Sequence, residues 1–187
     1  MTPGKIQPAL GSTPYPTLES LYSALPEPLS LPVYHHIAPE QVPEPFHHLL
    51  VHRQHMTIAM EAHYRCKIAV HVLQRRRFDG WYARRIVLHP KGTEQIVQGG
   101  LVRIHLSMLD ADVQQAILRE DTPLGYVLIS HDIMRQIEVT NYLRFEPGPA
   151  MEAWPGFDPN KPSFGRLGIL HCDGQPAIEL LEIVPPM

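Results

Sequence analysis

The chain has 187 residues, 44% of them apolar, and a formal charge of −3 with its twelve histidines neutral. A chain of this length buries about two-thirds of the surface it exposes when unfolded, which suits one domain. The near-balanced charge lacks the basic footprint of bulk nucleic-acid or anionic-membrane binding, so neither partner is expected.

The first 45 residues hold ten of the twenty prolines. Proline neither donates to a ladder nor continues a helix. Residues 1–45 therefore read as an extended arm with one short helix, Leu18 to Leu25, ahead of a domain spanning 46–187. Within the domain, Thr57 is the expected cap of a helix from Ile58 to Tyr64. "CKIAVHVLQR" puts Ile68, Val70 and Val72 on one face and predicts a strand, and "GWYARRIVLH" and "EQIVQGGLVRIHL" predict two more. "DADVQQAILRE" predicts a helix opened by Asp110. "TPLGYVLISHD" predicts another, with Thr122 as cap and Pro123 at its first position. "RQIEVTNYLRFE" alternates again. "FGRLGILHC" and "QPAIELLEIV" are strands joined by Asp173-Gly174, a tight-hairpin signal. Strands in runs, with helices clustered between them, predict an α+β fold on a single antiparallel sheet of about six strands.

The two cysteines, Cys66 and Cys172, form no CxxC pair and lie in apolar stretches, so they read as buried thiols rather than a disulfide framework. There is no basic-plus-apolar leader and no run approaching ~20 apolar residues. A reducing cytoplasm is the expected compartment.

His48, His52, His55 and His63 crowd one stretch and raise the question of a metal. A helical metal site needs its ligands on one uninterrupted helix, and a cap at Thr57 would divide these. No acidic residue stands at a ligand spacing, and zinc also wants a closed ligand set with supporting partners. The expectation is no metal, with these histidines in loops and on the surface beside a helix start.

Charged residues at apolar positions are more informative. In "WYARRIVLH" one face reads Tyr82, Arg84, Ile86, Leu88, so Arg84 falls in the apolar row. In the last strand Ile178, Leu180, Glu182 and Val184 share one face, and Ala177, Glu179, Leu181 and Ile183 the other. A buried charge needs a partner, because an isolated one costs several kcal/mol. Two readings are open: a structural Arg–Glu pair, or an anion pocket whose arginine holds a ligand carboxylate. Gly125, in the first turn of a helix, costs roughly 1 kcal/mol against alanine. It either packs closely on a neighbour or lets a carboxylate approach free backbone N–H groups.

"LLVHRQHMTIAMEAHY", "YARRIVL", "IVQGGLVRIHLSML", "TPLGYVL", "FGRLGILHCDGQP" and "ELLEIVPP" follow the order of motifs in the chorismate pyruvate-lyase family, which the chain resembles from about Pro45 to Pro186. The resemblance implies an antiparallel sheet with helices packed on one side and a small buried site. It also implies conversion of chorismate to 4-hydroxybenzoate and pyruvate, with no cofactor or metal. Carried over by motif, Met56 would touch the ligand, Arg84 would bind its carboxylate, and the backbone at Leu124 and Gly125 would assist. Arg166 would take the second carboxylate, and Glu182 would act as acid or base. The spacing from Gly174 to Glu182 is one residue longer than in better-known members, which leaves Glu179 as the alternative carboxylate. Two other functions fit the same residues. One is a non-catalytic domain that binds an aromatic carboxylate or similar small molecule. The other is a lyase for a related chorismate-like acid.

Overall fold

The computed structural model describes residues 15–187. Seven strands form one antiparallel sheet: β1 (Tyr34–Ile37), β2 (Ile68–Phe78), β3 (Trp81–Pro90), β4 (Gln98–His105), β5 (Arg135–Phe145), β6 (Ser163–Cys172) and β7 (Gln175–Val184). Their spatial order is β1-β5-β6-β7-β4-β3-β2. Asp173 and Gly174 join β6 to β7 with φ of 49° and 80°, the left-handed pair that the Asp-Gly signal predicts. Asp79 and Gly80 make the same kind of turn between β2 and β3.

Alternation along the strands decides what each face meets. On one face, Tyr82, Val102, Ile104, Leu170 and Leu180 pack under α4 (Ala111–Leu118) and α5 (Leu124–Ser130). On the same face, Ile86, Leu88, Phe164 and Val184 pack under α2 (Phe46–Leu50) and α3 (Met56–Tyr64). This is the expected α+β architecture, an antiparallel sheet with four helices on one side. The opposite face, with Leu101, Leu143, Phe145, Leu167 and Ile183, is closed by α1 (Leu18–Ser23), Trp154 and Phe157. Thr17 and Ser20 form a capping box at the start of α1. The segment before Pro45 thus supplies α1 and the edge strand β1, which is the seventh strand.

Three local expectations need correction. Helix α3 begins at Met56, and His55 rather than Thr57 occupies its cap position, so Thr57 is buried inside the first turn. Pro123, not Thr122, precedes α5, because the Thr122 hydroxyl instead donates to Asp121 at 2.8 Å. Cys172 is buried, but Cys66 is only half-buried. No helix among the described residues is long and apolar enough to cross a membrane.

Gly165 in β6 is dictated by the sheet itself. A Cβ there would stand 2.5 Å from the carbonyl oxygen of Glu182 and 3.1 Å from the Phe145 ring. The carbonyl belongs to a paired strand and cannot swing aside. Gly165→Ala is expected to cost about 1–3 kcal/mol, seen as a lower urea midpoint with an unchanged slope.

Candidate functional site

A cavity of about 50 Å³ lies between the sheet and the starts of α3 and α5. Met56 and Thr57 line it from α3, and Leu124 and Gly125 from α5. Gln98, Gly100, Leu180 and Glu182 form its floor. Neither helix start has a side-chain cap, so their first-turn N–H groups have no side-chain acceptor. Gly100 keeps the floor low, since a Cβ there would meet Ile86 at 3.2 Å. Gln98 is buried, and its side-chain oxygen has no partner among the described residues. The two helices are tied together above the cavity. Tyr126 of α5 donates to Glu61 of α3, and Lys67 donates to both, at 3.2 Å to Glu61 and 3.0 Å to the Tyr126 hydroxyl.

Gly125 proves to be a packing residue as well as a cavity residue. A Cβ there would stand 3.2 Å from Cβ and Cγ of His55, so glycine is what lets α5 rest on the start of α3. His55 also separates the cavity from an outer, open cleft of about 590 Å³, which it lines along with Ile137. Its Nε2 accepts from Arg135 Nε at 2.7 Å, so the ring proton of the neutral imidazole sits on Nδ1. Burial, then Arg135, holds the His55 pKa below its usual value.

Glu182 is bound to Arg166, whose Nε donates to Oε2 at 2.6 Å. Arg166 is fully buried. Its Nη1 donates to the carbonyls of Leu50 at 3.0 Å and His52 at 2.7 Å, and its Nη2 donates to Gln54 at 3.2 Å. The guanidinium therefore clamps the turn between α2 and α3 onto β6, with almost no donor left over. Its protein acceptors leave it little capacity for the ligand carboxylate expected of this residue. Glu179 lies on the opposite face and pairs with Arg103, Nε to Oε2 at 2.6 Å. Glu182 is thus the carboxylate that reaches the cavity, and the one-residue difference in spacing does not swap the faces. A register irregularity between Leu170 and His171 in the β6–β7 pairing lies in the same hairpin.

Arg84 is the exception to this pairing. It is 1% exposed, yet Nε, Nη1 and Nη2 all lack a hydrogen-bond partner among the described residues. Its cross-strand partner is Val102, and Ile86 is its next neighbour on the same face. Both of those line the cavity, so Arg84 stands one step beyond the cavity wall. The nearby negative group is Glu120, at the end of α4. Glu120 already accepts from Tyr82 and, at 2.8 Å, from Arg75 Nη1. Counting Arg75, Glu120 and Arg84, the cluster keeps one positive charge. Burial pulls the Arg84 pKa below its usual value, against the pull of Tyr82 and Glu120. Burial, reinforced by Glu120, raises that of Tyr82.

Of the residues singled out in the sequence, Met56, Leu124, Gly125 and Glu182 meet at the cavity. Arg84 borders it, and Arg166 is taken up by the clamp. Thr57, Gln98 and His55 were missed. For His55, the misplaced cap at Thr57 hid its position. The His52 ring is engaged too, with Nε2 at 2.7 Å from the Leu49 carbonyl and Nδ1 accepting from Gln54 N at 3.1 Å. These two histidines are therefore built into the site's surroundings. Among the described residues no three His, Cys, Asp or Glu side chains are grouped to hold a metal.

No protein-family model matches the sequence, and no curated protein does. Similar solved structures include PhnF from Mycobacterium smegmatis, at 11% identity and a TM-score of 0.49 over 69% of this chain and 62% of that one. Another is the possible transcriptional regulator YydK from Bacillus subtilis, at 12% identity and 0.44 over 63% and 58%. A third is a GntR-family transcriptional regulator from Bacillus cereus, at 7% and 0.43 over 64% and 92%. The chain spans only 62% and 58% of the first two proteins. Two of the three are described as transcriptional regulators. The chorismate-lyase activity implied by the resemblance is corrected on the geometry of the site. Glu182 is held in an ion pair with Arg166. The cavity of about 50 Å³ is a third of the roughly 150 Å³ that accommodates benzene, and chorismate is larger still.

Proposed function

We propose that the chain is a non-catalytic domain that binds a small organic anion, with the ligand's acid group directed toward Arg84. The observation that carries this reading is the buried guanidinium of Arg84, whose three nitrogens complete no well-formed hydrogen bond among the described residues although the Tyr82 hydroxyl lies close enough to act on it. A buried charge without a counter-charge of its own is costly, and a ligand carboxylate in the adjoining cavity would supply that counter-charge. The amides of Leu124 and Gly125 would add donors, Met56 would form the apolar wall, and Glu182 would orient a ligand hydroxyl. Arg166 would position Glu182 and the α2–α3 turn. The free thiols suit a reducing cytoplasm.

In this closed form the cavity suits an acid end of about two or three carbons. A series of formate, acetate, propanoate and benzoate, read by thermal unfolding, tests this. Acetate or propanoate is expected to stabilise the chain more than benzoate. Tyr126→Phe, which releases α5 from Glu61, should shift the preference toward benzoate. If no carboxylate raises the unfolding temperature in either protein, the reading is wrong.

A further inference from the structure

The outer cleft has a chemistry of its own. Arg53 in the α2–α3 turn, His55 at the start of α3 and Arg135 at the start of β5 line one side of it, and no carboxylate lines it at all. Neither arginine lies within ion-pair distance of a carboxylate among the described residues. Arg135 instead spends its Nε on the neutral imidazole of His55 and its Nη1 on the Ile133 carbonyl at 3.0 Å. Neither an imidazole nor a carbonyl is a counter-charge, and the remaining Arg135 donors have no acceptor among the described residues. Beside these groups, Ile58, Ile129 and Met134 give the cleft an apolar side, and Met134 is 70% exposed. A molecule as large as a substituted ring fits a space of about 590 Å³.

We infer that this outer cleft is a second binding subsite, for the anionic head, phosphate or carboxylate, of an amphipathic small molecule whose apolar body lies against Ile129 and Met134. The subsite deepens the small-molecule-binding reading. It is separate in its residues from Arg84, so the two ideas can fail independently. Because His55 and Ile137 border both spaces, a ligand seated here also touches two residues of the inner cavity's wall.

The test uses the whole chain and two probes, phenyl phosphate and benzoate, titrated by calorimetry. Binding of at least one is expected, and the stronger of the two identifies the head group. Arg53→Gln with Arg135→Gln should weaken it by about tenfold or more, the loss expected when charge-assisted hydrogen bonds go. Arg77→Gln, at an exposed arginine of β2 outside the cleft, should leave it within a factor of about two. Equal binding by the double variant, or no binding of either probe to the natural chain, overturns the subsite. An equal loss in Arg77→Gln also overturns it, since the effect would then belong to surface charge and not to the cleft. Should the double variant fail to fold, amide and methyl shifts of the natural chain decide. Probe-dependent shifts at Ile129, Met134 and Gln136 support the subsite, and shifts confined elsewhere reject it.

Discussion

Arg166→Met is expected to destabilise the chain by about 3–5 kcal/mol, the range for breaking a buried ion pair at one partner. Two losses combine. The Glu182 carboxylate, only 12% exposed, loses the cation 2.6 Å away. The carbonyls of Leu50, His52 and Gln54 lose the donors that hold the α2–α3 turn on β6. Since that turn leads directly into His55 and Met56, ligand binding should fall with stability. Urea unfolding followed by far-ultraviolet circular dichroism measures the change. A loss under about 1 kcal/mol, the scale of an exposed pair, would mean that Arg166 does not carry the clamp.

Arg84→Met should have the opposite sign for stability. Its guanidinium is equally buried but has no bonded partner among the described residues. Methionine fills much the same volume without a charge to desolvate. The variant is therefore expected to be more stable than the natural chain by about 1–3 kcal/mol. Acetate binding in the inner cavity should fall by about tenfold or more. The opposed pattern separates a binding arginine from a structural one. Both residues share a sheet face and near-complete burial, and only their partners differ. Urea unfolding and a carboxylate titration on the same preparations give both numbers.

Much of this arrangement was legible in the sequence. Period-two alternation placed Arg84 with Tyr82, Ile86 and Leu88, and Glu182 with Ile178 and Leu180, on the face that the helices cover. Asp173-Gly174 fixed the last hairpin, because that pair adopts positive φ at low cost. What alternation could not supply was the identity of partners. The acceptors for Arg166 are backbone carbonyls more than a hundred residues earlier in the chain, in a turn with no periodic signal. Backbone carbonyls are the same in every sequence, so Arg166 and Arg84 looked alike before folding. The cap of α3 was misplaced for a related reason. Thr57 is a good capping residue by type, but its burial in the first turn beside the cavity outweighs that local preference. The outer cleft was invisible because Arg53 and Arg135, far apart in the chain, come to line one cleft only once it is folded.

Acetate titrated into isotope-labelled protein, with the amides of Gly100, Leu124 and Gly125 followed by nuclear magnetic resonance, tests the central claim most directly. The account predicts saturable shifts at these amides in the natural chain, and their loss in an Arg84→Met variant that remains folded. Shifts of the same size and affinity in both proteins, or none in either, would contradict it.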